Sequence, residues 1–423
     1  MNVLIIGSGA REHAFCWKIK QSKLLTNLYV APGNAGTNNI AQNLAISISN
    51  FQEIKSTLLI KKISLIIIGP EIPLIDGLTD SIKKDSELKK VLVIGPSKFG
   101  AMLEGSKDFS KEFMLKHNIP TASYKTFNSN SLHDGLDYLE TIQPPFVLKA
   151  DGPAAGKGVL ILNDLIGAKT ELSNMLVNNK FGKSGDKVVI ESFLTGIELS
   201  CFVLLDGESY LTLPSAKDYK RIGEGDTGLN TGGMGSISPV PFASNEFLSK
   251  IENKIIKPTV KGIIEDKLDY VGFLFIGIIK VENEPFVIEY NVRMGDPETQ
   301  VVLPRIKNDF LEMMVKTASG ELDTINLEVD NSTYANVVVV SGGYPETYEK
   351  GKKITGLNKK GNSIVFHAGT KKEDKDIVTS GGRVLSVVSK SNDFKSALIK
   401  SYKSIEGIHF DKKNFRKDLG FDL

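Results

Sequence analysis

Cysteine is nearly missing from this chain of 423 residues: only Cys16 and Cys201 occur, far apart and in no metal-ligand spacing. That excludes a disulfide framework and a cysteine-based zinc site, and it fits a reducing compartment. An excess of charge is missing too. Fifty-two basic against fifty acidic side chains leave +2, so there is no electrostatic case for a nucleic-acid or a membrane partner. The apolar runs are strand-length, too short to cross a bilayer, and the sequence opens on a strand rather than a signal peptide, so a cytoplasmic location is expected. Internal repeats and low-complexity segments are also lacking. What remains is ordinary for a globular protein, with 41% apolar and 24% charged residues and length enough for about three domains.

The chain opens as strand, glycine turn and helix: Val3-Leu4-Ile5-Ile6, then Gly7-Ser8-Gly9-Ala10-Arg11-Glu12-His13. A dinucleotide fingerprint would need a third glycine where Glu12 stands, and an acidic residue closing the second strand, where Ala31-Pro32-Gly33 stands instead. The dinucleotide reading is weak, but such a turn can hold a smaller anion against backbone N–H groups. Gly33-Asn34-Ala35-Gly36-Thr37 makes a second loop, and Leu65-Ile66-Ile67-Ile68 runs into a third, Gly69-Pro70-Glu71. Ligands of open parallel sheets sit at the carboxyl ends of the strands, so a small phosphorylated or carboxylated molecule is expected here. Each loop taken alone would also serve as a plain tight turn.

Farther on, Pro145 to Val159 reads as a strand, a glycine loop and a second strand. Lys149 ends a buried strand, where a charge is costly unless it meets an anion, and Gly156-Lys157-Gly158 can fold N–H groups over phosphates. The spacing is not that of a Walker A loop. Glu191-Ser192-Phe193-Leu194 connects two strands and offers backbone groups to a base, with Glu198 in reach of ribose hydroxyls. Asp218-Tyr219-Lys220-Arg221 precedes a glycine-dense stretch up to Ser236, too long for a simple connection. A helix is expected from about Asn245 to Leu268, interrupted near Pro258, then a hairpin of Phe273 to Val281 with the strand that starts at Phe286. Strict alternation there puts Phe286, Ile288, Tyr290 and Val292 on one face and Val287, Glu289, Asn291 and Arg293 on the other. Glu289 and Asn291 offer hard oxygens to Mg²⁺, Arg293 an anion-binding fork, and Gly295-Asp296-Pro297 turns Glu298 and Gln300 back toward them. From Tyr334 onward the chain is rich in strands and ends with a helix from Asp393 to Ile405; His367 is expected in the core.

In their order, the turn Gly7 to His13, Pro32 to Thr37, Gly69 to Glu71, Lys149 to Gly158, Asp218 to Arg221, Asn230 to Gly235, Glu289 to Gln300 and Gly342 to Pro345 resemble the phosphoribosylamine–glycine ligases, a family within the ATP-grasp superfamily. The resemblance spans essentially the whole chain. It implies an α/β protein with an N-terminal open parallel-sheet (Rossmann-like) domain at 1–104, a central ATP-grasp region at 105–326 with a mobile lid at about 120–187, and a small C-terminal α+β domain at 327–423. It also implies ATP-dependent ligation of glycine to 5-phosphoribosylamine through glycyl phosphate, with Mg²⁺ that Mn²⁺ can replace, in a monomer or weak homodimer. By the same resemblance Lys107, Lys149, Gly156, Lys157, Gly158, Glu191, Phe193, Leu194 and Glu198 bind ATP. Glu289 and Asn291 hold the metal, Arg293 and Asp218 act on the glycine end, and Gly9, Gly36, Thr37, Glu71, Asp296 and Glu298 complete the substrate sites. One departure is that the strand Phe273 to Val281 carries no second acidic metal ligand, with Lys280 near its end. Other ATP-grasp ligases, a nicotinamide-dependent oxidoreductase and a nucleotide sensor without turnover are the competing readings.

Overall fold

A computed structural model describes residues 1–154, 158–178, 180–359 and 361–423; Gly156 and Lys157 therefore lie outside the described residues. The first five strands, β1 (Asn2–Gly7), β2 (Asn27–Pro32), β3 (Gln42–Asn43), β4 (Leu65–Ile68) and β5 (Leu92–Ile94), form one parallel sheet in the order β3-β2-β1-β4-β5. Both faces of the central strands are covered, so β1 and β4 read as unbroken apolar runs, while the edge strand β3 is polar and open. Leu4 and Ile6 enter one core with Ile54 and Leu58, and Val3 and Ile5 enter another with Ala10 and Phe15.

Next comes a self-contained layer. Strands β6 (Tyr124–Asn128), β7 (Phe146–Ala150), β8 (Val159–Leu162) and β9 (Lys187–Ser192) pair antiparallel as β6-β9-β7-β8. The helices Leu132–Thr141 and Leu165–Leu176 cover it, and its core of Phe127, Leu139, Phe146, Leu148, Leu172 and Ile190 is separate from the others.

The remaining strands build an eight-stranded sheet from β10 (Ile197–Leu205), β11 (Tyr210–Asp218), β14 (Gly235–Ser238), β15 (Gly272–Val281), β16 (Glu284–Asn291), β17 (Thr333–Val340), β18 (Ile364–His367) and β21 (Arg383–Ser391). Its order is β16-β15-β10-β11-β14-β17-β21-β18. The hairpins β12–β13 (Arg221–Gly223, Thr227–Asn230) and β19–β20 (Thr370–Glu373, Asp376–Thr379) stand apart from it. The strand-rich stretch after Tyr334 thus joins the central strands edge to edge through β14. The helix Phe394–Glu406 packs on β17 and β21. The expected interruption near Pro258 is a π-helical turn, Glu252–Ile256, between Asn245–Ile251 and Lys257–Glu265. Pro258, which has no N–H to donate, stands directly after the π-helical turn in an otherwise continuous helical run.

One expectation fails on β16. Gly277 pairs with Glu289 but Ile278 pairs with Val287, so Ile288 is an extra residue in a β-bulge. The bulge reverses the alternation below it. Val287 is fully buried in the same core as Tyr290 and Val292, while Ile288 stays half-buried. Val287 is therefore a core residue and not part of the site face.

Candidate active site

Above the bulge Glu289 and Asn291 point away from that core, into a cleft bordered by Lys149 of the four-stranded layer, by Lys107 and Lys220, and by Glu71 at the end of the parallel sheet. Burial alone would raise the Glu289 carboxyl, but Lys220, Lys149, Lys107 and Arg293 around it outweigh that and hold it below the usual carboxylate range. Asn291 is buried, its Oδ1 accepts from Arg293 Nη2 at 2.9 Å, and its Nδ2 has no hydrogen-bond partner among the described residues. Arg293 is more constrained than the sequence suggests. Its Nη2 also donates to Glu104 Oε1 at 2.8 Å, and its Nε lies 3.6 Å from Glu71 Oε2. Glu104 in turn accepts from Val292 N at 2.8 Å and so fixes the end of the site strand. Burial pushes its carboxyl up against the pull of Arg293.

Lysines line the side toward the four-stranded layer. Ser106 caps the helix Lys107–Lys116, and Asp151 binds both the Ser106 hydroxyl (2.9 Å) and the Asp108 N–H (2.8 Å), which ties the helix start to the glycine loop. Lys107 Nζ donates to the carbonyl of Ala150 at 2.8 Å, and burial lowers its pKa. Ala150 N donates to the carbonyl of Gly158 at 2.8 Å, closing the base of the loop. Lys149 Nζ lies 2.9 Å from Glu191 Oε1 and 3.5 Å from the carbonyl of Ile288. The Glu191 side chain is buried and committed to lysines. Phe193 is exposed and Leu194 half-buried at the exit of β9, an apolar border to the cleft. Glu198 pairs with Lys220 at 2.7 Å, both half open to solvent, and this neighbour lowers the Glu198 pKa.

Acidic groups and glycines form the third side. Glu12, at the position of the missing third glycine, turns its carboxylate back to accept from Gly9 N–H (2.6 Å) and from Arg11 Nε (2.6 Å). A Cβ at Gly7 would lie 2.5 Å from the Glu12 side chain, and one at Gly69 2.8 Å from the carbonyl of Ile6. That carboxylate fills the turn a dinucleotide pyrophosphate would need, which excludes the nicotinamide reading on steric and charge grounds. Asp296 accepts from Arg11 N (3.3 Å) and Gln300 Nε2 (2.9 Å), and Arg383 lies 3.5 Å away. Burial would raise its pKa, but Arg383 and Arg11 hold it down. Glu71 sits at the first position of the helix Glu71–Ile75, beside Arg293. Glu298 is buried on Ser200 (3.1 Å); burial and the nearby Asp218 push it up to about 7. Asp218 is raised as well, again first by burial.

Gly36 and Thr37 are placed differently. Thr37 is fully buried, with its hydroxyl spent on Asn34 and Asn43. Gly36 lies under the His13 ring and His367, and Asn34 Nδ2 donates to the carbonyl of His367 at 2.8 Å. His367 is buried at this junction, and its N–H donates to His13 Nδ1 at 2.8 Å. Sequence reasoning did not name Glu104, Lys111 or Arg383, and gave Lys220 and His13 no role of their own within the motifs that contain them. Lys107 and Lys111 do lie four residues apart on one helical face with Met114, a signal visible in the sequence.

No helix among the described residues is long and apolar enough to cross a membrane. Models of phosphoribosylglycinamide synthetase match the chain in three pieces: the N domain over residues 1–104, the ATP-grasp (A) domain over 105–299 and the C domain over 334–422. The phosphoribosylamine–glycine ligase of Caldanaerobacter subterraneus is 42% identical over 419 residues, which cover 99% of each chain. The bifunctional purine biosynthetic protein PUR2,5 of Pichia angusta is 44% identical over 426 residues; these are 99% of this chain but 53% of that protein, so the chain spans about half its length. Among solved structures, the phosphoribosylamine–glycine ligase of Thermotoga maritima superposes with a TM-score of 0.85 at 33% identity, covering 99% of this chain and 100% of that one. With a cleft of this composition and these full-length matches, the chain belongs to the phosphoribosylamine–glycine ligase family of ATP-grasp enzymes.

Proposed function

We propose that the chain joins glycine to 5-phosphoribosylamine at the expense of ATP, through glycyl phosphate, giving glycinamide ribonucleotide, ADP and phosphate in purine biosynthesis. One observation carries this reading: Glu289 and Asn291 stand side by side within the influence of Lys107, Lys149, Lys220 and Arg293. Phosphoryl transfer asks a protein for alignment and charge neutralisation, and this ring supplies both.

The residues fit Mg²⁺. Both donors are hard oxygens and Asn291 Oδ1 keeps a lone pair beyond the one Arg293 uses, while its orphaned Nδ2, a donor, is left for an oxygen of a phosphate or a water. No group of three or more His, Cys, Asp or Glu that could hold an ion occurs among the described residues, so waters and phosphate oxygens would complete the shell. When bound, Mg²⁺, or Mn²⁺ in its place, would neutralise charge on the transferring phosphoryl group.

Lys107 and Lys149 hold the phosphates, together with Gly156, Lys157 and Gly158, and the four-stranded layer is the lid. Phe193 and Leu194 frame the adenine beside the main chain of Glu191, and Glu198 takes the ribose. Arg293, clamped by Glu104, presents a fixed fork to the glycine carboxylate. Asp218 orients the attacking amine. Its raised pKa also makes it a better proton acceptor than an ordinary carboxylate. Gly9, Gly36, Thr37, Glu71, Asp296 and Glu298 shape the phosphoribosylamine end, Gly36 and Thr37 by setting the loop's backbone. The test is release of ADP and phosphate from MgATP and glycine, with and without phosphoribosylamine generated in place, with the product weighed by mass spectrometry. Glycine-dependent turnover that needs the amine and yields glycinamide ribonucleotide is expected; turnover with another carboxylate alone would refute the substrate assignment.

A further inference from the structure

Two lysines share one buried carboxylate where the lid meets the body. Lys111, on the helix Lys107–Lys116, brings its Nζ to 3.1 Å from Glu191 Oε2, and Lys149 brings its own to 2.9 Å from Glu191 Oε1. All three side chains are more than nine-tenths buried. Lys111 also donates to Thr121 Oγ1 at 2.7 Å, so it is held from two sides. Burial draws its ammonium down to about 8, with Glu191 opposing, and it stays charged at neutral pH. A one-to-one pair would already neutralise Glu191. The second lysine leaves this triad one positive charge over, offset only by the more distant Glu289, which Lys149 shares with three other cations, and so costly unless something is gained from it.

The difference between the two lysines suggests the gain. Lys111 belongs to the body helix, is held on Thr121 and Glu191 and is not among the cations that act on Glu289, whereas Lys149, next to the end of β7, acts on Glu289 and lies near the carbonyl of Ile288. We propose that Lys111 is a positioning residue: it is the standing counter-ion of Glu191, so that Lys149 can turn from that carboxylate to a nucleotide phosphate without stranding a buried anion. This rests on the reading of Lys149 as a phosphate ligand.

The experiment is a calorimetric titration of MgADP and MgATP into the full chain and its variants, with Michaelis constants for ATP and for glycine. Lys111→Met should weaken nucleotide binding about tenfold or more, since each 1.4 kcal/mol is a factor of ten and an uncompensated buried charge costs more than that. The Michaelis constant for glycine should stay near wild type. Lys111→Arg, which keeps the charge, should bind within about threefold of wild type. Adding Glu191→Gln to Lys111→Met should recover most of the lost affinity, because a neutral amide needs no counter-ion; a packing role for Lys111 would show no such recovery. Wild-type affinity in Lys111→Met, or no recovery in the double variant, would overturn the inference. A parallel Lys149→Met titration separates the two ideas: wild-type affinity there would overturn the phosphate assignment and this inference with it, whereas weakened binding leaves the Lys111 result to decide.

Discussion

At the scale of single residues, the cleft is an exercise in holding charge where water is scarce. Glu289 remains ionised because four cations act on it, and this makes it the most exposed point of the proposed chemistry. Glu289→Gln should lower turnover by at least about a hundredfold, the order seen when one electrostatic partner of a transition state is lost, with an unchanged denaturation midpoint. Glu298 behaves in the opposite sense. Its folded-state pKa is raised from 4.5 to about 7, so between those values the folded chain binds more protons than the unfolded chain, and its contribution to stability falls as pH rises through that window. Urea midpoints of wild type and Glu298→Gln should therefore diverge from pH 5 to pH 7 in favour of the variant, then run parallel above it. The shared placement of Glu289 and Asn291 was legible in the sequence because residues two apart on an unbroken stretch of strand share a face. Glu104 was not legible. Nothing in its local pattern tells a buried clamp for Arg293 from a solvated helical glutamate, because the partner lies 189 positions away.

At the scale of elements, β16 shows where pattern reading stops. Alternation is a property of an unbroken ladder, and one extra residue at Ile288 reverses every side chain on one side of it. Neither Val287 nor Ile288 differs in type from what an unbulged strand would carry, so the sequence holds no sign of the bulge. The consequence is measurable. Val287→Ala should cost about 2 kcal/mol of stability by opening a cavity beside Tyr290 and Val292, with substrate Michaelis constants unchanged; a site-face residue would show the reverse. The strand and helix spans elsewhere were largely readable, since the parallel strands are buried runs bounded by glycine turns and Ser106, Asp309 and Asp393 cap the helices they precede.

For the whole molecule, the informative junction is where the parallel sheet's second loop meets β18. Gly36 fits there because a Cβ would collide with the His13 ring and come 2.7 Å from the Cβ of His367. Gly36→Ala should destabilise the chain by about 1–3 kcal/mol and raise the Michaelis constant for phosphoribosylamine more than that for ATP, measurable by denaturation and initial rates. The contact joins residues more than three hundred positions apart, which no local pattern encodes. The same scale makes sense of β14. This four-residue strand lies between β11 and β17, hydrogen-bonded on both sides, with every residue buried. Its amide protons have no edge from which to fray, so they should exchange with deuterium only when the whole eight-stranded sheet opens. Residues 333–391 should thus melt together with residues 197–291, while the four-stranded layer, with its own core, is free to exchange on its own schedule.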